Sequence, residues 1–546
     1  MRLDRNTSGC SVLDHHHAVV FGGHVYFEIK VIISVHSLQQ LSVLVLGLGD
    51  SGLAMVRWCV RHGADLVVVD SRENPPHLAQ LKEEHPGVVF KHGPFDASLV
   101  EGQAIRAVFK SPGLSPESVA PVWQAAKAAG LWVGTELTLF AKALEDLKTN
   151  QQYAPHVLAI TGTNGKTTVT TLTAQLLERA GQRVAVAGNI GPTLLDTLSA
   201  AIDQEQTQWP QAWVLELSSF QLDQVDTFAP SAATVLNLTQ DHLDWHGDMQ
   251  AYAQAKAHIF GHYGCSVINR DDPLVRALLP APIVKTKGSK QPPREIMRFG
   301  SDMPTRHGDW GLETVNGMTW LVRALDADET RKTRTYAEPE IYIQRLLPID
   351  ALRIRGRHNA LNAMAALAMA STTGAPLAAM LYALREYRGE PHRLASIALL
   401  DGVEYFNDSK GTNVGATVAA INSLGADRRI VLIAGGDGKG QDFSPLVKPI
   451  AQFVRALVLI GKDAPALHQV LDKTGVHIQD AASLEEAVKL CKNLAKTGDA
   501  VLLSPACASL DMFRNYVHRG EIFEHAVEEL AHEMGSVVEA SGGLQV

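Results

Sequence analysis

From Ser42 onward the chain repeats one pattern, a short run of aliphatic and β-branched residues followed by a longer amphipathic stretch. The runs include Val43–Leu46, Leu66–Val69, Val157–Ile160, Trp213–Leu217, Thr234–Leu238, Ile430–Ala434, Leu457–Ile460 and Ala500–Leu503. They are largely apolar rather than alternating, as strands buried on both faces are, and helix-length spacers between strands imply parallel crossovers. The fold class this predicts is α/β, repeated along the chain. A chain of 546 residues has room for about three such units at roughly 100–200 residues each.

Two polar seams divide the pattern. Glu145–His156 (EDLKTNQQYAPH) ends beyond a proline, and Glu386–Arg393 (EYRGEPHR) is charged and carries Gly389 and Pro391. They predict an N-terminal unit over 41–150, a central unit over 151–388 and a C-terminal unit over 389–546. Within the central unit the charged, Gly- and Pro-containing stretch Lys285–Arg345 reads as an insertion of loops with a small antiparallel element. Residues 1–40 follow neither pattern. They hold His15-His16-His17 and the short apolar Val31-Ile32-Ile33, without the basic start, apolar core and cleavage site of a signal peptide. They are read as an extension, disordered or not native, and set apart from the fold.

Charge and cysteine usage exclude several classes. Lys plus Arg number 49 against 58 Asp plus Glu, a net −9 with no basic block, which argues against a nucleic-acid partner. Cys10, Cys59, Cys265, Cys491 and Cys507 are scattered and never spaced CxxC, so neither a disulfide framework nor a zinc site is expected. That usage fits the cytoplasm. No run approaches the roughly 18 apolar residues of a membrane span, so no membrane insertion is expected.

Gly47-Leu48-Gly49-Asp50-Ser51-Gly52 follows a strand, precedes the helix-like Leu53–Arg61, and has Asp70 closing the next strand. This matches a dinucleotide fingerprint, but the physics is broader. The glycines let backbone N–H groups approach a pyrophosphate at a helix N-terminus, and the acid takes a ribose or base hydrogen bond. Any nucleoside diphosphate fits. Thr161-Gly162-Thr163-Asn164-Gly165-Lys166-Thr167-Thr168 is more specific. It follows the strand Val157–Ile160 and precedes the helix-like Val169–Arg179. Glycines allow a phosphate cradle, Lys166 faces the terminal phosphates and Thr167 offers a hydroxyl to Mg²⁺. The usual spacing would put glycine at 160, where Ile160 stands, so the loop is a variant. Glu216, at the end of its strand, suits the Mg²⁺ of a bound nucleotide. Gln240–His246 (QDHLDWH) could bind metal or merely cap a helix. Lys256, on the helix-like Met249–Phe260, reads as a solvated lysine on its own. In the last third, NDSKGTN (Asn407–Asn413), GGDGKG (Gly435–Gly440) and SPACAS (Ser504–Ser509) each follow a strand. Loops at strand carboxyl ends are where open α/β sheets bind ligands, and Lys410, Thr412, Lys439 and Ser509 are donors suited to carboxylate or phosphate.

TGTNGKTT, LELSSFQL, DHLDWHG, RGRHNALNAMAA, PHR, NDSKGTN, GGDGKGQDF and SPACASLDMF occur in this order. The series resembles the Mur ligases, and within them the D-glutamate-adding branch, from about Leu41 to the C-terminal region. The resemblance implies a Rossmann-like N-terminal unit that holds UDP, a central P-loop ATPase domain with a parallel sheet, and a Rossmann-like C-terminal domain. It implies ATP-dependent amide ligation of D-glutamate to UDP-N-acetylmuramoyl-L-alanine by a monomer, with two Mg²⁺ ions. The residues that match family positions are Gly49, Asp50, Ser51, Asp70, Ser71, Gly113 and Asn189 for the UDP-substrate. Gly162 to Thr168, Asn359, Arg393 and Asp408 match ATP positions. Thr412, Lys439, Ser509, Leu510 and Tyr516 match D-glutamate positions, with Tyr516 where phenylalanine is common. Thr167, Glu216, His242 and Lys256 match metal ligands, Lys256 in carbamylated form, and Lys410 a substrate-site lysine. Three rival readings explain less. An NAD-dependent oxidoreductase leaves the phosphate loop and the three C-terminal loops unexplained, and a nucleotide-switched binding module without synthetic activity would be excluded by stoichiometric amide product. A folylpolyglutamate-type ligase has no use for the N-terminal nucleotide unit or NDSKGTN.

Overall fold

The computed structural model describes residues 38–279, 294–327, 340–354, 356–425 and 427–535, with the backbone of 19–21 and 24–26. Within the first 40 residues β1 (Val19–Phe21) pairs antiparallel with β2 (His24–Tyr26). The His15-His16-His17 run and Val31-Ile32-Ile33 lie outside the described residues.

The N-terminal sheet is β3 (Ser42–Leu46), β4 (Asp65–Asp70), β5 (Val89–His92), β6 (Ala107–Lys110) and β7 (Trp132–Gly134). All neighbours are parallel and the order is β5-β4-β3-β6-β7. Chain direction across the sheet reverses between β3 and β6, which opens a crevice at their carboxyl ends. The glycine loop leaves β3 into that crevice.

The central sheet has nine strands: β8 (His156–Thr161), β9 (Val184–Gly188), β10 (Ala212–Glu216), β11 (Ala232–Val235), β12 (Cys265–Asn269), β13 (Ile296–Phe299), β14 (Trp310–Val315), β15 (Met318–Asp326) and β16 (Ile341–Pro348). Their order is β16-β15-β14-β13-β12-β11-β8-β10-β9. The phosphate loop leaves β8, flanked by the parallel β10 and β11. The small antiparallel element expected within 285–345 is present, and it extends the central sheet rather than standing among separate loops. The described part of this stretch continues the sheet, β13 parallel to β12, then β14 to β16 as an antiparallel meander. Strands with one solvated face carry fewer apolar residues than the doubly buried strands, so their composition imitates loops. Residues 280–293 and 328–339 lie outside the described residues.

The C-terminal sheet is β17 (Ala395–Leu400), β18 (Val403–Asn407), β19 (Ile430–Gly435), β20 (Val454–Ile460), β21 (His477–Asp480) and β22 (Ala500–Leu503), ordered β17-β18-β22-β19-β20-β21. Asp401 and Gly402 both have positive φ, 49° and 74°, as a two-residue hairpin turn between β17 and β18 requires. The remaining pairs are parallel. Loops after β18, β19 and β22 therefore leave adjacent strands at one edge.

The apolar cores are unequal. One continuous cluster runs from Val43, Trp58 and Phe109 through Phe140 to Trp213, Leu215 and Phe260, joining the N-terminal and central units. Phe140 meets Trp213 edge-on at 5.2 Å, and the buried Trp213 indole donates to the Tyr153 hydroxyl at 2.9 Å. Two arginines reinforce this junction, Arg57 with Asp196 and Arg61 with Asp203. The C-terminal unit has separate clusters on the two faces of its own sheet, one around Val431, Val501 and Phe523, the other around Leu432, Leu446 and Leu502.

Candidate active site

The helix after the phosphate loop runs Lys166–Arg179, and the one after the glycine loop Asp50–Arg61, each beginning three residues before the expected start. Both first turns lie in the loop, so their free N–H groups face the space above the sheet. Gly165 has φ +83°, and a Cβ there would sit 2.7 Å from Asn362 Oδ1. The Asn164 N–H donates to Asn237 Oδ1 at 2.8 Å, and the Thr163 hydroxyl meets that of Tyr252 at 3.0 Å. Lys166 folds back, its Nζ donating to the carbonyls of Gly162 and Thr163, each at 2.9 Å. Burial holds its pKa below the ordinary lysine value against the pull of Glu216 and Asp241. Thr167 Oγ1 accepts from Arg393 Nη2 at 2.5 Å, and Thr168 is buried.

Glu216 ends β10 beside Ile160 of β8 and is buried. Its Oε1 accepts from Asn189 Nδ2 at 2.8 Å, while its Oε2 is buried with no hydrogen-bond partner among the described residues. A buried carboxylate oxygen left without a donor is costly unless a cation takes it. Lys256 lies on the Met249–Ala257 helix, which continues as a 3₁₀ turn over His258–Phe260. It is not the solvated lysine its sequence surroundings suggest. It is buried, and Nζ donates to Thr161 Oγ1 at 3.2 Å and to the Gly162 carbonyl at 3.0 Å. Burial, then the neighbouring Lys166 charge, pushes its pKa well below the ordinary value. His242 adopts φ +54°, its ring 4.7 Å from Phe220 and its Nε2 3.7 Å from Asp241 Oδ2. Burial lowers its pKa too. Among the described residues no cluster of three or more His, Cys, Asp and Glu stands ready for a metal. Mg²⁺ needs no such cage, since it takes one or two protein oxygens and fills its octahedron with water and phosphate. The orphan oxygen of Glu216 and the Thr167 hydroxyl fit that demand.

A cleft of about 290 Å³ separates the central and C-terminal units, lined by Gly165, Thr168, Asn359, Arg393, Asp408 and Lys410 among others. His358 also lines it, and burial pushes its pKa down to about 4, leaving it neutral. Asp408 faces inward as well as onto the cleft. Its Oδ2 accepts from Ser504 Oγ at 2.7 Å and its Oδ1 from the Leu394 N–H at 3.1 Å, and burial pushes its pKa up to about 7. A larger hollow of about 470 Å³, around Tyr153, Arg183 and Trp209, lies at the amino ends of β8 and β10, away from these groups.

Across the cleft, Lys410 Nζ stands 3.7 Å from the centre of the Tyr516 ring, and burial brings its pKa down to about 8. Ser509 is buried, Lys439 has φ +49°, Thr412 lies two residues before the Val414–Gly425 helix, and Leu510 is 70% exposed. Arg519 was missed. It is fully buried, donates to the carbonyls of Ser409 at 2.8 Å and Cys507 at 3.2 Å, and so ties the loops after β18 and β22 together. The available signal was its place on the apolar stripe Arg519, Phe523, Val527, Leu530 of the last helix. Cys507 is itself a small buried residue.

In the N-terminal unit Gly52 is obligatory, because a Cβ there would stand 2.1 Å from the Gly47 carbonyl oxygen. Gly49 and Gly113 leave open space where a Cβ would point. Ser51 Oγ donates to Glu136 Oε2 at 2.6 Å, and Asp50 is exposed and contacts His77 at 2.6 Å. Asp70 corrects the sequence reading. It is fully buried, with Oδ2 accepting from the Leu48 N–H at 2.8 Å and both oxygens held by the Arg72 guanidinium at 2.9 Å. Its strand-end position puts it beneath the glycine loop, which it braces rather than reaching a ligand. Ser71 and Arg72 are the exposed residues there.

Comparison with known proteins agrees over most of the chain. The Mur ligase MurD-like N-terminal domain matches residues 41–134, the Mur ligase middle domain 160–370 and the Mur ligase glutamate ligase domain 392–507. A relative from Albidiferax ferrireducens, named UDP-N-acetylmuramoylalanine--D-glutamate ligase, is 58% identical over 507 residues, covering 93% of this chain and 100% of its own. Relatives of the same name from Polaromonas and Burkholderia mallei are 51% and 55% identical, each covering 92% of this chain and 100% and 99% of their own. Among solved structures, MurF from Acinetobacter baumannii and MurF from Thermotoga maritima in complex with ADP each reach a TM-score of 0.52 at 17% identity. Each covers 92% of this chain, with 93% and 98% of the solved chains matched, and they speak to the fold alone. With three consecutive domain matches and relatives this similar over nearly its full length, the chain belongs to the Mur ligase family.

Proposed function

We infer that the chain is an ATP-dependent ligase that joins D-glutamate to UDP-N-acetylmuramoyl-L-alanine in peptidoglycan synthesis, through an acyl phosphate, releasing ADP and phosphate. The observation that carries this is one buried patch, the phosphate loop with Glu216 and Lys256, in a chain 58% identical to a relative of that name. A carboxylate does not acylate an amine at neutral pH because oxide leaves poorly. Transfer of the γ-phosphoryl group to the alanyl carboxylate makes phosphate the leaving group, and the neutral amine of D-glutamate then displaces it.

The residues divide this work. N–H groups of Gly162 to Thr168 hold the phosphates, and Lys166, released from the Gly162 and Thr163 carbonyls, meets the transferred group. Asn359 and Arg393 hold the nucleotide from the cleft wall, and Asp408 fixes the loop that carries Lys410. Gly49, Asp50, Ser51, Ser71, Gly113 and Asn189 hold the UDP-substrate. Thr412, Lys439, Ser509, Leu510 and Tyr516 hold D-glutamate, and Lys410, with a pKa near 8, faces its reacting end. Glu216 and Thr167 would hold one Mg²⁺, and His242 and a carbamylated Lys256 a second. When bound, Mg²⁺ screens the phosphate oxygens that the reaction brings together. Lys256 supports its own modification. Its burial favours the neutral amine, whose nitrogen can attack CO₂ and lose a proton to water. Its helix, packed against the phosphate loop, then presents an anion where two lysines now crowd the Gly162 carbonyl.

No helix among the described residues is long and apolar enough to cross a membrane. We propose a cytoplasmic monomer, and the scattered cysteines accord with a reducing compartment. The acyl-phosphate route is tested with UDP-N-acetylmuramoyl-L-alanine labelled with ¹⁸O in the alanyl carboxylate. One ¹⁸O should appear in the released phosphate for each amide formed. Unlabelled phosphate would overturn the route.

A further inference from the structure

The phosphate loop and the NDSKGTN loop meet through a pair of amides. Asn164 Nδ2 donates to Asn413 Oδ1 at 3.2 Å, and Asn413 Nδ2 donates back to Asn164 Oδ1 at 3.1 Å and to Asp241 Oδ2 at 3.3 Å. Asn413 is 4% exposed. It directly precedes the Val414–Gly425 helix, and its Oδ1 also accepts from the Ala416 N–H at 2.9 Å, the bond of a helix N-cap. The approach is close around it, since a Cβ on Gly415 would stand 2.7 Å from Thr239 Oγ1. One side chain thus starts a helix of the C-terminal unit, docks that unit on the phosphate loop and touches the residue before His242.

A reciprocal amide pair fixes orientation as well as distance, which a single bond does not. The reaction needs that precision. The acyl carbon forms beside the phosphate loop, while the amine arrives on loops that include Thr412, the residue next to Asn413. A misplacement of about 1 Å between reacting groups costs on the order of a hundredfold in rate. We propose that Asn413 is a positioning residue whose pairing with Asn164 registers the amino-acid-binding loops against the phosphate loop, so that attack by D-glutamate depends on it and phosphoryl transfer does not. The inference rests on the ligase reading above.

Asn413→Ser separates its two roles. Serine is a good N-cap but too short to reach Asn164. Asn413→Asp is a second variant that also caps the helix, yet offers Asp241 a like charge in place of a donor. Each is assayed for ligation of D-glutamate and for phosphate release with hydroxylamine in its place. Hydroxylamine nitrogen attacks the acyl carbon, phosphate leaves, and the proton passes to solvent, with no amino-acid pocket needed. For Asn413→Ser we expect kcat with D-glutamate to fall at least about tenfold, hydroxylamine-dependent release to stay within about threefold, and the melting temperature to hold. Asn413→Asp should lose ligation at least as strongly. Undiminished ligation in both variants overturns the proposal, as does a parallel loss of both reactions or a loss that tracks a fall in melting temperature. Wild-type protein run alongside keeps the readings apart, because failure of wild type to ligate D-glutamate would instead overturn the function.

Discussion

At the residue scale the site is a balance between buried charges and the few groups that satisfy them. Lys166 and Lys256 both donate to the Gly162 carbonyl, and neither has a carboxylate within hydrogen-bond distance among the described residues. Lys166→Ala should abolish phosphoryl transfer while calorimetry still shows UDP-substrate binding. Loss of both would mean a folding defect. Lys256→Ala should abolish ligation without rescue by bicarbonate, whereas near-normal turnover would remove it from the metal site. Glu136 has a measurable signature of its own. Burial raises its pKa to about 7 despite bonds from Ser51 and Leu195. A carboxyl raised in the folded state is most favourable while protonated, and its contribution is lost as pH rises from its unfolded value through about 7. Glu136→Gln should therefore raise stability at pH 8 by up to about 2–3 kcal/mol and change little at pH 4, as chemical denaturation would show. Equal effects at both pH values would contradict the burial argument. Lys166, Glu216 and the three C-terminal loops were legible in the sequence because each lies at or just beyond the carboxyl end of a strand. Asp70 and Arg519 were not, because neither sequence spacing nor residue type says which way a charged group points when tertiary contacts enclose it.

At the element scale the site is made by loops leaving the carboxyl ends of parallel strands, β3 and β6 in one sheet, β8 and β10 in the next, β18, β19 and β22 in the third. Every strand run read from the sequence overlaps an observed strand, since doubly buried parallel strands leave a near-continuous apolar record. Helix starts were placed late at Leu53 and Val169 because the first turns contain the polar and glycine residues of the binding loops themselves. The β14 to β16 meander was read only as a small antiparallel element among loops, because strands with a solvated face share their composition with loops. The tight glycine-loop junction yields its own test. Gly52→Ala places a methyl against the Gly47 carbonyl and should weaken UDP-substrate binding at least about tenfold, with ATP binding retained in the same titrations. Unchanged UDP-substrate affinity would show that this loop is not its cradle.

At the scale of the whole molecule, one apolar core joins the N-terminal and central units, while the C-terminal unit keeps cores of its own and meets the centre through polar contacts such as Asn164–Asn413 and Arg393–Thr167. Scanning calorimetry should resolve two transitions, one for the fused pair and one for the C-terminal unit, drawing together when nucleotide and Mg²⁺ bind across the cleft. A single transition unmoved by nucleotide would contradict that division. The function itself is tested most directly by phosphate release with ATP, Mg²⁺ and UDP-N-acetylmuramoyl-L-alanine, adding D-glutamate, L-glutamate, L-alanine, L-lysine or diaminopimelate one at a time. Release that depends on D-glutamate alone, with one amide formed per phosphate, is the predicted result. Release with a different amino acid would contradict the assignment of the C-terminal loops, and no release with any would contradict the ligase itself.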